Sequence, residues 1–313
     1  MPGMMQGNSR SDRNGFQSAI CLTAAVAATL LCIGSSYAQQ ADLAQPADRV
    51  WIEPLPPSEP RWYPQGIQIL KGQVVRFDGE QLQLSMADRE EDLVVRSDRV
   101  IWVEPSERSD EEQAAIDAYR EGDYGSTLTG LPEILNQRPP IWRQQWITML
   151  AADAAWKSGR AEIALELVKQ LDRRSLPPLV LAKLPIAWRR YEANSKVSAL
   201  ARSHLDDSSA AAKLVAASWL LNSPDRTQAV ETLKLLRREP RRPIAMSAAA
   251  LLWRVATPPQ VQQRAETWQQ QLEQIPMTLQ PGPAQTLIEK LAAAGLSEQA
   301  NRLKWSTELT PIR

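Results

Sequence analysis

The chain has 313 residues, enough for one large domain or two ordinary ones, and burying a real apolar core is within its reach. Lysine plus arginine equals aspartate plus glutamate at 36 each, so no global field selects nucleic acid, anionic lipid or an acidic substrate. Partner choice must rest on local surfaces, and two unequal domains are the expected arrangement.

Residues 1–38 read as a targeting segment. Arg10 and Arg13 precede an apolar run from Ala19 to Ile33, and Ser36-Tyr37-Ala38 supplies the small residues that a signal peptidase requires. The run is shorter than the roughly 20 residues of a membrane-spanning helix, so cleavage after Ala38 is expected, with an uncleaved inner-membrane anchor as the alternative. Both cysteines, Cys21 and Cys32, lie inside the segment and follow Ile20 and Leu31, which is not the setting of a lipid-modified cysteine. A mature chain from Gln39 then has no cysteine and no disulfide framework, and its stability must come from packing. The expected location is the periplasm or the exterior of the cell.

Residues 39–65 are polar and rich in proline, with Pro54, Pro56, Pro57, Pro60 and Pro64, and read as an extended lead-in in which Val50 to Ile52 form one short strand. From Gly66 to residue 106 the pattern has period two. Leu82, Leu84 and Met86 alternate with Gln81, Gln83 and Ser85, and Asp78-Gly79 precedes them as a hairpin turn whose two central residues would take positive φ. With Leu93 to Val95 and Val100 to Val103, four or five short strands make a small antiparallel β module that also takes in 48–53. The segment from Asp48 to Pro54 returns, with one extra residue, as Asp98 to Pro105. The insertion moves the tryptophan to the other face, and two edge-type strands ended by proline are expected.

Beyond Pro105 the composition turns to alanine, leucine, glutamine and arginine with period 3.6, and residues 110–313 are predicted to be helical. Ala115 to Tyr124, with Gly122-Asp123 as its turn, then Leu128, Leu131, Ile134-Leu135 and Pro139, resemble one tetratricopeptide (TPR) unit. On that register a small residue recurs in each second helix, at Thr127, Ala164, Ala199, Ala229, Ala265 and Ala300. The intervals are 37, 35, 30, 36 and 35, near the roughly 34 residues of this repeat class. Small residues suit the point where two helices cross closely. Ala115, Ala152, Ala187 and Ala217 repeat in the first helices, but Trp253 and Ile288 break the pattern, and Thr257-Pro258-Pro259 marks a differently bent fifth turn. The fold class is therefore mainly α: an α-solenoid of about six TPR-like antiparallel hairpins behind a small antiparallel β module.

The resemblance implies a groove lined by first helices, here carrying Trp146, Met149, Asp153 and Trp156, and continued by Trp188 and Tyr191. A protein or peptide partner is expected there. The tryptophans from Trp142 to Trp305 are spread through the hairpins, as wedges between them would be.

No catalytic, cofactor-binding or metal-binding residue is assigned. The one histidine, His204, ends a helix without a nucleophile motif, and reads as a surface or capping residue. Glu90-Glu91-Asp92, Glu111-Glu112 and Asp206-Asp207 read as a solvated turn or helix ends. The basic run Arg237-Arg238-Glu239-Pro240-Arg241-Arg242 reads as a solvated helix end rather than a nucleic-acid patch. The functional expectation is an exported protein-interaction scaffold. The alternatives are a self-assembling envelope protein, a carbohydrate-binding protein with exposed tryptophans, or an enzyme using carboxylates alone.

Overall fold

The computed structural model describes residues 47–55 and 66–309, all of which fall in the compact unit Gln45–Arg313. The targeting segment, most of the lead-in and the last residues of the chain lie outside the described residues. Five antiparallel strands come first: β1 (Asp48–Ile52), β2 (Gln68–Phe77), β3 (Gln81–Ser85), β4 (Leu93–Arg96) and β5 (Val100–Glu104), in the order β4-β3-β2-β1-β5. The remainder is mainly helical.

β2 is long because it serves two neighbours. Its first half pairs with β1 up to Gly72 opposite Asp48, and its second half pairs with β3 from Gln73 opposite Ser85. At the change of partner the backbones approach so closely that a Cβ on Gly72 would overlap the Ser85 carbonyl oxygen, which only glycine permits. Buried Asp48 fixes the same corner by accepting from the Val74 N–H at 2.9 Å and the Ser106 N–H at 2.7 Å.

The two near-identical segments turn out to pair with each other. Trp51 lies opposite Trp102, and the extra residue, Ile101, is taken up as a bulge between Trp51 and Ile52, which restores the facing of the valines. β1 is therefore an interior strand between β2 and β5, not the edge strand its proline suggests. The β2–β3 turn also differs from expectation. Gly79 has no positive φ. Instead, the Asp78 carboxylate accepts from the N–H groups of Glu80 and Gln81 at 2.9 and 3.1 Å, an Asx-type turn. A Cβ at 79 would strike the Ser175 hydroxyl, which favours glycine there.

Twelve α-helices follow among the described residues: α1 (Asp110–Glu121), α2 (Tyr124–Asn136), α3 (Ile141–Lys157), α4 (Ala161–Asp172), α5 (Pro178–Leu181), α6 (Ser195–Ser203), α7 (Ala210–Leu220), α8 (Arg226–Leu236), α9 (Arg242–Leu251), α10 (Pro258–Glu273), α11 (Pro281–Ala293) and α12 (Ser297–Leu309). The first turn is built as its sequence implies. Gly122 ends α1 at φ +83°, and the Asp123 side chain accepts from the Ser126 N–H to start α2. The pairs α1/α2, α3/α4, α7/α8 and α11/α12 pack directly as hairpins. Thr127, Ala164, Ala229, Ala265 and Ala300 are buried, as a close crossing requires.

Two units depart from the expected pattern. A first helix was expected around Ala187, but 182–194 carries no helix; Pro185 has no N–H to give a helical ladder. The register slips with it: Ala199 is exposed, and Val197, Ser198 and Ala201 form the buried face of α6. In the fifth unit, α9 runs into a 3-10 turn at 252–255, and Pro258-Pro259 starts α10 on a new course in which it packs on α11 instead of returning along α9.

The β module and the helices share one core. Val50, Phe77, Leu82 and Leu84 bury against Trp142 of α3 and Leu179 of α5, with Trp102 edge-on to Trp146 at 5.0 Å between ring centroids. Far along the chain, the Thr278 hydroxyl donates to the Val100 carbonyl at 2.8 Å.

Candidate functional site

The residues expected to line one groove fall in three settings. Trp146 sits at the junction with the β module, and Met149, 1% exposed, belongs to the core. Asp153 accepts from the Tyr119 hydroxyl and from Lys157 Nζ at 2.7 Å, while Lys157 lies over the Tyr119 ring at 4.8 Å. Burial, followed by the hydrogen bond to Asp153, pushes the Tyr119 phenol up to about 12. Trp156 stacks on buried Trp219 at 3.9 Å and meets Tyr191 edge-on at 5.0 Å.

Trp188 and Tyr191 belong to the non-helical segment 182–194, which contacts several elements as a strap. Trp219 Nε1 donates to the Pro185 carbonyl at 2.8 Å, and the Ala187 N–H donates to the Ser218 hydroxyl at 2.9 Å. Arg254 donates to the carbonyls of Ala187 and Ser218 at 2.5 and 2.9 Å and to the Asn222 amide oxygen at 2.7 Å. The Thr286 hydroxyl holds the Trp188 carbonyl at 2.9 Å, and the Trp188 ring lies so close over Gly282 that a Cβ there would overlap it. Side chains from α7, the 252–255 turn and α11 thus hold a non-helical stretch of backbone, and that backbone is the chain's own. Trp188 and Tyr191 lie on this strap, half-buried, and not on a first helix as expected.

The candidates for acid–base chemistry are in structural contacts. His204 Nδ1 lies 3.0 Å from Asp207 Oδ2 at the end of α6. Asp207 also accepts from the Ser209 N–H at 2.9 Å and lies 3.2 Å from Lys169 Nζ; burial opposes these contacts, but together they hold its carboxyl down to about 2. Glu112 is buried at the start of α1 against Arg143, with Arg143 Nε and one Glu112 oxygen left unpartnered. Among the described residues no three of histidine, cysteine, aspartate and glutamate converge as metal ligands.

Of the open clefts among the described residues, two take in residues of the 237–242 run. One, of about 630 Å³, lies between the β module and the helices. It carries both signs of charge, and three of its four arginines are engaged: Arg96 with Asp98, Arg99 with the Glu53 carbonyl, and Arg241 with Asp172 and Glu239. The other, of about 550 Å³, runs between α8 and α10 above α9. Its walls are one stripe of α8 (Val230, Lys234, Arg237) and one of α10 (Gln260, Arg264, Trp268, Gln271), each at helical spacing. The stacked Trp253 and Trp268 rings, 5.7 Å apart, underlie it together with half-buried Met246, Leu252 and Val255. No carboxylate lines it.

This cleft exists because α10 does not return along α9. The linker is held in that course: Arg226 donates to the Val255 carbonyl and Lys290 to the Ala256 carbonyl, each at 3.1 Å, and the Thr257 N–H donates to Gln260 Oε1 at 3.0 Å. The sequence signals were the Pro258-Pro259 break and the i, i+4 spacing of Gln260, Arg264 and Trp268. The basic run divides between the clefts, Arg237 facing one and Arg241 with Arg242 the other.

Comparison of the chain with protein-family models, with curated proteins and with solved structures returns no match.

Proposed function

We propose that this chain is an exported scaffold that binds a protein or peptide partner in the cell envelope, using a degenerate TPR-like array of helical hairpins braced by the β module. The observation that carries the reading is the trough between α8 and α10: a preformed, helix-walled surface with an apolar floor and, at Arg237, Arg264, Gln271 and Gln274, side chains unused by the chain itself. Helix-walled troughs suit the capture of a chain segment, with apolar anchors below and main-chain contacts along the walls. Export rests on Arg10, Arg13, the apolar run to Ile33 and the Ser36-Tyr37-Ala38 site. No helix among the described residues is long and apolar enough to cross a membrane.

The test is crosslinking in intact cells followed by capture of the tagged chain. Recovery of one envelope protein, lost on Arg237→Glu with Arg264→Glu while the fold survives, supports the scaffold. Recovery of the chain alone makes self-assembly the better account. N-terminal sequencing of the exported form is expected to begin at Gln39, and a retained leader in the membrane fraction would point to anchoring instead.

A further inference from the structure

We infer that the trough between α8 and α10 is a docking site for an acidic peptide segment that carries an apolar anchor. This rests on the scaffold reading and specifies the chemistry of its partner. The first argument is charge. In a chain with equal numbers of acidic and basic residues, this trough has Lys234 and Arg237 on one wall and Arg264 on the other, with no carboxylate in its lining. Lys234 pairs only with exposed Glu231 on its own helix, at 2.7 Å, a contact that solvent weakens. Arg237 and Arg264 make no ion pair and no side-chain hydrogen bond among the described residues, a state they share with exposed arginines elsewhere such as Arg238 and Arg242; what sets them apart is that they stand on opposite walls of one cleft. Two exposed guanidinium groups of opposite walls are therefore available to carboxylates, which they bind in a bidentate manner.

The second argument is shape and composition. Gln260 to Gln274 spans about 21 Å along α10, the reach of about six extended residues. The amides of Gln271 and Gln274 provide both donors and acceptors for a peptide backbone, and Gln260, whose Oε1 caps α10, adds its amide donors. Met246, Leu252 and Val255 give an aliphatic or aromatic side chain an apolar seat. Because the 255–257 linker is pinned by Arg226 and Lys290, little ordering is required of the protein on binding.

The experiment pans a random dodecapeptide library, displayed on phage, against the purified chain. The expected result is enrichment of peptides rich in aspartate and glutamate with at least one large apolar residue. Synthetic copies of the enriched peptides should bind about tenfold or more weakly to the Arg237→Glu, Arg264→Glu variant, and weaken as salt is raised. The Arg237→Lys, Arg264→Lys variant keeps the charge and should retain most of the binding; Arg237→Gln with Arg264→Gln serves if charge reversal perturbs the fold, as judged by thermal melting. Enrichment of neutral or basic peptides overturns the inference, as does binding that ignores all three variants. In that last case the peptide site lies elsewhere, and the scaffold reading survives. Binding of phosphatidylglycerol vesicles with the same arginine dependence, and no acidic peptide enriched, assigns the trough to a lipid surface and overturns the inference. No enriched peptide, together with self-capture alone in cells, removes the scaffold reading as well.

Discussion

The strap face and the α8–α10 trough are built from the same side-chain types, tryptophan, arginine and small polar residues, and they differ in what those groups touch. Under the strap, Trp219, Arg254, Ser218 and Thr286 all bond to backbone of 182–194. In the trough, Arg237, Arg264 and the glutamines face solvent. A tryptophan- and arginine-lined surface is thus not a binding site by composition; it becomes one where its polar groups have no partner within the fold.

The comparison breaks first at Trp219, which is fully buried between Trp156 and the strap. Trp219→Ala should destabilise the protein by about 3–5 kcal/mol in urea unfolding, since a large cavity opens and the Pro185 carbonyl loses its donor. A loss below about 1 kcal/mol would mean that the strap is not seated there.

Next in size is the contrast between two arginines. Arg254→Ala removes the donor to two carbonyls and one side-chain amide, and should cost about 2–3 kcal/mol and expose the strap to trypsin at Arg189 and Arg190. Arg264→Ala, on the trough wall, should change stability by no more than about 0.5 kcal/mol. Equal costs at the two positions would erase the distinction between a filled face and an open one.

Gly282→Ala probes the strap by addition. A methyl group at 282 meets the Trp188 ring, which must move or lift off α11, and the expected loss is about 1–3 kcal/mol. The faster proteolysis expected within 182–194 separates this displacement from a general loss of helix stability.

What the sequence made legible follows from which interactions are local. The period-two and period-3.6 patterns, the Gly122-Asp123 turn and five of the six small crossing residues depend on neighbours along the chain, and all could be read directly. The pairing of the duplicated segments was hidden because a single bulge, at Ile101, changes which residues face each other across strands that are distant in sequence. The strap was hidden because an alanine and a tryptophan at the right spacing match a helix even where Pro185 and contacts with α7 and α11 prevent one. Arg264 was missed because openness is a property of three helices together. Pro258-Pro259 announced a bend at the fifth turn but not which surface the bend would uncover.

The smallest expected effect concerns Asp153, the expected groove residue whose contacts are most polar. Tyr119 donates its hydroxyl proton to Asp153 and accepts from Lys157 at 2.9 Å, so the network favours the neutral phenol. Its folded-state value of about 12 lies above the ordinary value of 10.0. The hydroxyl therefore contributes stability that is complete below about pH 10 and disappears as pH rises through about 12. The ring is partly exposed, so solvent screening limits the contribution to on the order of 1 kcal/mol. Tyr119→Phe should melt below the wild type at pH 8, and the gap should narrow steadily in melts between pH 10 and 12. No gap at pH 8 would mean that the ring's packing against Tyr124, at 5.8 Å between centroids and kept by phenylalanine, supplies the stability and the hydroxyl does not. Asp153 would then be held in the fold by Lys157 alone, at 2.7 Å.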